Sequence, residues 1–81
     1  MRYYNNIYKI KIMEYNLNST EMQIFNYLKH IKATSPDIGR FCKIKTDDVL
    51  PILDSLNQRG FVNKETNEFS DRWYVSEHWL N

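Results

Sequence analysis

Up to Val75, two short helical patterns, a third helix ended by glycine and an aromatic hairpin follow one another without a break, and that order admits few folds. Gly60 is the pivot. Val49, Ile52, Leu53 and Leu56 form an apolar stripe up to Arg59, and the residue after a helix often needs the left-handed conformation that glycine adopts freely. Pro51 limits the other end. Proline is tolerated in a first turn and breaks an interior, so the helix is expected to start at about Asp47 or Asp48, with Thr46 or Asp47 as its cap. Past Gly60, Phe61 to Lys64 reads as a strand, Glu65 to Asp71 as a loop and Arg72 to Val75 as the returning strand. Alternation sends Trp73 and Val75 to the core and leaves Arg72 and Tyr74 outside.

Upstream, Thr20 and Gln23 have the spacing of a capping box, which starts a first helix whose Ile24, Phe25, Leu28 and Ile31 form a core face through Lys32. Ser35 as N-cap with Pro36 at the first helical position opens a second helix. Ile38, Cys42 and Phe41 are expected to face inward, the helix runs out near Lys43, and Ile44 packs the turn. Residues 7–13 alternate, with Tyr8, Ile10 and Ile12 on one face and Lys9 and Lys11 on the other, which reads as a strand; Tyr3, Ile7 and Ile10 also fit helical spacing. That segment is a third sheet strand or a dimer arm. Ser76 to Asn81 is a short tail with room for one helical turn, and its Trp79 and Leu80 are too apolar to be left wholly in water.

A chain of 81 residues builds one core, so the whole is one α+β domain: an N-terminal strand or arm over 1–16, three helices over 20–60 and a two- or three-stranded antiparallel sheet ending in a hairpin over 61–76. At this size dimerisation through a spare element is expected. One cysteine, Cys42, rules out an internal disulfide and a cysteine cluster, and His30 and His78 lack ligand spacing, so no metal or other cofactor is expected. Neither a secretory leader nor a membrane span is legible, which points to the cytoplasm. A nucleophile needs a base and an oxyanion site in a pocket, and with two glycines and two remote histidines the chain reads as a non-enzyme. Abundant Asn, Ile, Lys and Tyr with a single Ala suggest AT-rich coding DNA, such as that of a Gram-positive bacterium, a phage or a plasmid.

The net charge of +1 hides an uneven distribution. Residues 1–45 hold eight cations against three anions, a net of +5, and residues 46–81 hold three against seven, a net of −4. A polyanion should meet the first half.

The run from Ser35 to Ile44, then Val49 to Leu56, then Gln58-Arg59-Gly60-Phe61-Val62, resembles the winged helix-turn-helix transcription regulators over about residues 20–76. The shared pattern is an Ile and a small residue in the second helix, a spaced Val and Leu pair in the third, and Leu, polar, Lys or Arg, Gly, apolar, Val at the wing junction. The resemblance implies a small double-stranded-DNA-binding regulator, acting as a homodimer. Arg40, Lys43 and Lys45 would lie at adjacent phosphates, and Lys64 and Arg72 on the wing would reach a phosphate or a minor groove. Thr46, Ser55 and Gln58 are the hydrogen-bonding residues of the third helix, Thr46 also being a good cap, and Tyr74 is an outward aromatic contact. Trp73 and Cys42 read as core and His30 as surface.

The third helix departs from that pattern. Family members often present Ser, Thr, Arg, Asn or Gln there, whereas this chain offers Asp47, Asp48, Leu50, Pro51, Asp54 and Ser55, and carboxylates near phosphates repel. The alternative is therefore a protein-docking winged helix that binds a regulator or polymerase through Asp47, Asp48, Leu50 and Asp54. The winged domains that grip left-handed DNA with an Asn and a Tyr on the third helix and a wing Trp match only at Trp73. The other two positions fall on Leu50 and Asp54, so that reading is set aside.

Overall fold

A computed structural model describes residues 16–80; the strand or arm expected at residues 7–13 lies outside them. Three helices, α1 (Ser19–Leu28), α2 (Ser35–Cys42) and α3 (Thr46–Gln58), precede an antiparallel hairpin of β1 (Val62–Thr66) and β2 (Asp71–Val75) and a 3-10 turn at Glu77–Trp79. This is the α+β winged helix-turn-helix arrangement. Ile24, Phe25 and Leu28 of α1, Ile38 and Cys42 of α2, and Val49, Leu53 and Leu56 of α3 close one core under Phe61, Val62, Trp73 and Val75. Each large apolar side chain buried there is worth about 1.5–3 kcal/mol.

The helix starts differ from those expected. Asn18, not Thr20, caps α1: its side chain accepts from the Glu21 N–H while the Glu21 carboxylate accepts from the Asn18 N–H, the same box two residues earlier. Thr34, not Ser35, caps α2 by accepting from the Asp37 N–H at 3.3 Å, so Ser35 and Pro36 are both helical. Lys45 is the N-cap of α3 and gives no side-chain bond; Thr46 is its first helical residue and caps nothing. Pro51 consequently lies inside α3, beyond the first turn. The carbonyl that loses its donor belongs to Asp47, four residues back, and both residues lie on the exposed face of the helix, where the lost bond is least costly.

Two core assignments also change. α1 ends at Leu28, which leaves Ile31 in the linker and 51% exposed. Phe41 is 58% exposed, its ring stacked on Tyr27 outside the core, centroids 4.1 Å apart.

Gly60 behaves as expected. Its φ is +84°, its N–H donates to the Asn57 carbonyl at 3.0 Å, and the Phe61 N–H reaches back to the Leu56 carbonyl at 2.9 Å, the paired bonds of a Schellman ending. A side chain here would meet nothing within 4 Å, so the penalty of substitution is conformational alone. Gly60→Val is expected to cost roughly 1 kcal/mol or more, read as a lower urea midpoint; an unchanged midpoint would contradict the left-handed turn.

The hairpin pairs Val62 with Val75 through Thr66 with Asp71, so each strand is longer than the sequence reading made it. A third member is a single residue: the Ala33 N–H donates to the Trp73 carbonyl at 3.1 Å and the Trp73 N–H to the Ala33 carbonyl at 2.8 Å. The tail makes the short helical turn expected of it and lays the Trp79 ring on Phe61 at 4.8 Å, its indole N–H donating to the Gly60 carbonyl at 2.9 Å, whereas Leu80 stays 52% exposed. No helix among the described residues is long and apolar enough to cross a membrane.

Candidate nucleic-acid interface

The α2–α3 turn is built by Gly39 and Lys43. Lys43 takes a left-handed conformation, φ 61° and ψ 46°, and the Ile44 N–H returns to the Gly39 carbonyl at 2.8 Å. A Cβ on Gly39 would lie 2.6 Å from the Ile44 carbonyl oxygen, so the turn closes only over glycine. This sharp reversal brings Arg40, Lys43 and Lys45 around one open depression of about 370 Å³, floored by Gly39 and Ile44 and bordered by Thr46. Arg40 pairs with Asp37 one turn back along α2. Lys43 and Lys45 are exposed and have no ion-pair partner among the described residues. The first N–H groups of α3 open beside them without a side-chain cap, where the helix dipole favours an anion.

The outer face of α3 is as acidic as its sequence. Asp47, Asp48, Asp54 and Pro51 are exposed, and Leu50 is 41% exposed. None of the three carboxylates has an ion-pair partner among the described residues. Ser55 is half-buried, whereas Gln58 is exposed and shares with Asp54, Asn57, Lys64 and Trp73 a second depression between α3 and the wing. The sequence-derived set is thus split: Arg40, Lys43, Lys45 and Thr46 meet at the turn, and Gln58 meets Lys64 at the wing root.

On the wing, the cations are partly engaged at home. The Lys64 ammonium lies 3.9 Å from the Asp71 carboxylate and 5.4 Å from the centre of the Trp73 ring. Arg72 is exposed, opposite Glu65 in register. Glu65 also takes Lys32 at 3.3 Å, whose ammonium stands 5.0 Å above the half-buried Tyr74 ring. Exposed pairs of this kind contribute roughly 0–1 kcal/mol, too little to withhold a lysine from a phosphate. Sequence reading passed over Lys32, whose place beside Tyr74 depends on the Ala33 bridge, and Phe69, 90% exposed at the wing tip. The signal for the latter was Asn67, whose side chain accepts from the Phe69 and Ser70 N–H groups and turns the loop.

Trp73 is buried, as expected, and so is Cys42, where loss of water around the thiol pushes its pKa up. A thiol held protonated is a poor nucleophile. His30 is exposed.

No protein-family model and no curated sequence matches the chain. Solved structures do. ZitR of Lactococcus lactis, in its complex with DNA, superposes with a TM-score of 0.72 at 23% identity over 78% of this chain and 45% of its own. ZitR is also described as a zinc-responsive MarR family member. The homodimeric winged helix-turn-helix DNA-binding domain of Mb0332 from Mycobacterium bovis, a possible ArsR-family regulator, gives 0.72 at 14% identity over 78% of this chain and 58% of that one. This chain therefore spans about half the length of either protein's solved chain. The Zalpha domain of zebrafish PKZ, nearer in size, is 30% identical with a TM-score of 0.66, over 70% of this chain and 91% of that domain. With its three helices and hairpin superposing on these winged-helix domains, and 30% identity to one of them, the chain belongs to the winged helix-turn-helix family.

Proposed function

We propose that this protein is a small DNA-binding transcriptional regulator that works as a cytoplasmic homodimer and grips duplex phosphates through the α2–α3 turn. The observation that carries the reading is the convergence of Arg40, Lys43 and Lys45 on one open depression at the uncapped start of α3. Arg72 and Lys64 supply a second, weaker phosphate site on the wing; Thr46 is the polar group at the turn, Gln58 the one beside Lys64, and Ser55 and Tyr74 complete the polar and aromatic set. Residue usage rich in Asn, Ile, Lys and Tyr fits a phage or plasmid source.

The acidic outer face of α3 favours a second reading. Asp47, Asp48 and Asp54 stand without ion-pair partners among the described residues around exposed Leu50, a surface suited to a basic protein partner such as a regulator or polymerase subunit.

A salt series on duplex DNA separates the two. Each phosphate neutralised releases counterions, so Lys43→Ala with Lys45→Ala should weaken binding and lower the slope of log K against log salt by about 2 units per protomer. Asp47→Asn, Asp48→Asn and Asp54→Asn together should strengthen binding by removing like charge. If the parent fails to bind even at low salt, the first reading falls. A native-host partner that is captured by the parent and lost by the Asp triple variant then supports the second.

A further inference from the structure

The hairpin ends in a tip that holds an aromatic ring out in water. Phe69 is almost wholly exposed, and its ring meets no other aromatic ring among the described residues. The backbone under it is fixed. The Asn67 side-chain oxygen accepts from the Phe69 N–H at 2.9 Å and from the Ser70 N–H at 3.0 Å, and the Asn67 N–H donates to the Ser70 carbonyl at 3.2 Å. Three bonds within four residues leave little backbone freedom to lose when the ring is covered. The register then sets a cation on each face of the hairpin behind the tip. Lys64 lies opposite Trp73 and shares its face, toward α3, whereas Arg72, next to Trp73 in the strand, points from the other face, opposite Glu65. Asp71 is paired with Lys64 and Glu65 with Lys32, so among the described residues Glu68 is the wing carboxylate left without an ion-pair partner.

We propose that Phe69 is a wedge that enters the minor groove of duplex DNA and parts a base step there; the inference deepens the DNA-binding reading above and rests on it. Two phosphate backbones wall that groove about 6 Å apart. A hairpin entering tip first meets one wall on each face, which is where Lys64 and Arg72 stand. A protein or lipid surface would take the ring without using cations set on opposite faces. The reach also fits. β1 ends at Thr66, two residues beyond Lys64, so the tip leads that cation by about 7 Å, close to the roughly 7.5 Å depth of the groove. Phosphates and base edges are then touched together. Apolar side chains inserted in this way partly unstack a step and kink the duplex, and an aromatic ring stacks on any base.

The test uses the full chain and two duplexes of one composition, an alternating A·T sequence rich in flexible TA steps and a stiff A-tract. Phe69→Ala should weaken binding to the alternating duplex by about tenfold, the loss of one aromatic–base stack. Binding to the A-tract, which resists unstacking, should fall less. The salt slope should keep the parent's value, because no charge changes, and the thermal melt should too, because Phe69 lies outside the core. Phe69→Leu retains an apolar wedge and should lose less affinity than the alanine variant. With 2-aminopurine in place of adenine at the TA steps, unstacking raises the emission; it should rise with the parent and stay flat with Phe69→Ala. An alanine variant that binds the alternating duplex as the parent does, or a parent complex in which 2-aminopurine stays dark, would overturn the wedge alone, since the phosphate grip is read from the parent's salt slope. A Phe69→Ala variant with altered sedimentation mass and unaltered DNA affinity would make the ring a contact between copies instead. A parent that binds neither duplex at low salt would overturn both readings.

Discussion

Gly39→Ala is expected to lower the melting temperature by roughly 10 °C. Helix propensity alone argues the other way, since Ala in place of Gly inside a helix stabilises by about 0.5–1 kcal/mol. The new methyl, however, would stand 2.6 Å from the Ile44 carbonyl oxygen. Neither side yields easily: Ile44 is held by its own N–H donating to the Gly39 carbonyl at 2.8 Å, and Gly39 is buried. Forced overpacking typically costs about 1–3 kcal/mol, occasionally more, and relief here requires moving backbone. A net loss near 2 kcal/mol converts at about 4–8 °C per kcal/mol for a domain of this size. Gly39→Val should go further, because its second branch widens the clash. Circular-dichroism melts decide, and an alanine variant that melts with the parent would mean that the turn is looser than described. At temperatures where the alanine variant stays folded, the displaced turn should also weaken any binding that needs Lys43 and Lys45 together.

Phe25→Ala is expected to cost about 3–5 kcal/mol, the range for emptying a buried aromatic site. Phe25 is fully buried, its ring edge-on to Phe61 at 5.6 Å and to Trp79 at 6.2 Å, so one truncation removes a ring contact from each. Domains this small have only several kcal/mol in total, and the variant should be largely unfolded near room temperature. Phe25→Leu keeps most of the volume and should retain a cooperative transition at a lower urea midpoint. A loss below about 1 kcal/mol for the alanine variant would show that the tail and wing root do not depend on this ring.

The features legible in the sequence are those set by one residue acting locally. Gly60 ended α3 because only a left-handed residue continues into β1 there, and the alternation of Trp73 and Val75 chose the inner face of the hairpin. Features set by choice between equal local options were not legible. Asn18 with Glu21 and Thr20 with Gln23 have the same capping spacing; what separates them is a long-range tie, the 3.2 Å pair between Glu21 and Arg59. Phe41 is likewise undecided by periodicity, because on an eight-residue helix it flanks the face that Ile38 and Cys42 define, and a ring on another helix, Tyr27, draws it out. At the candidate interface, the clustering of Lys43 and Lys45 followed from their nearness in the chain. The drawing of Lys64 toward Asp71 and Trp73 depends on strand register, which composition does not encode.

Under the proposed grip on duplex DNA, the two bonds between Ala33 and Trp73 would bear on where selectivity arises. They staple the hairpin to the linker between α1 and α2, while the Phe61 N–H roots its first strand on α3. The turn cations and the wing cations therefore keep a set separation, like the jaws of a fixed gauge. A duplex touched at both points must bring its phosphates to that spacing by its own bending and groove narrowing. Flexible pyrimidine–purine steps do so at lower energy than stiff tracts. A protein whose third helix is poor in base-reading side chains would then still rank sequences by how easily they deform.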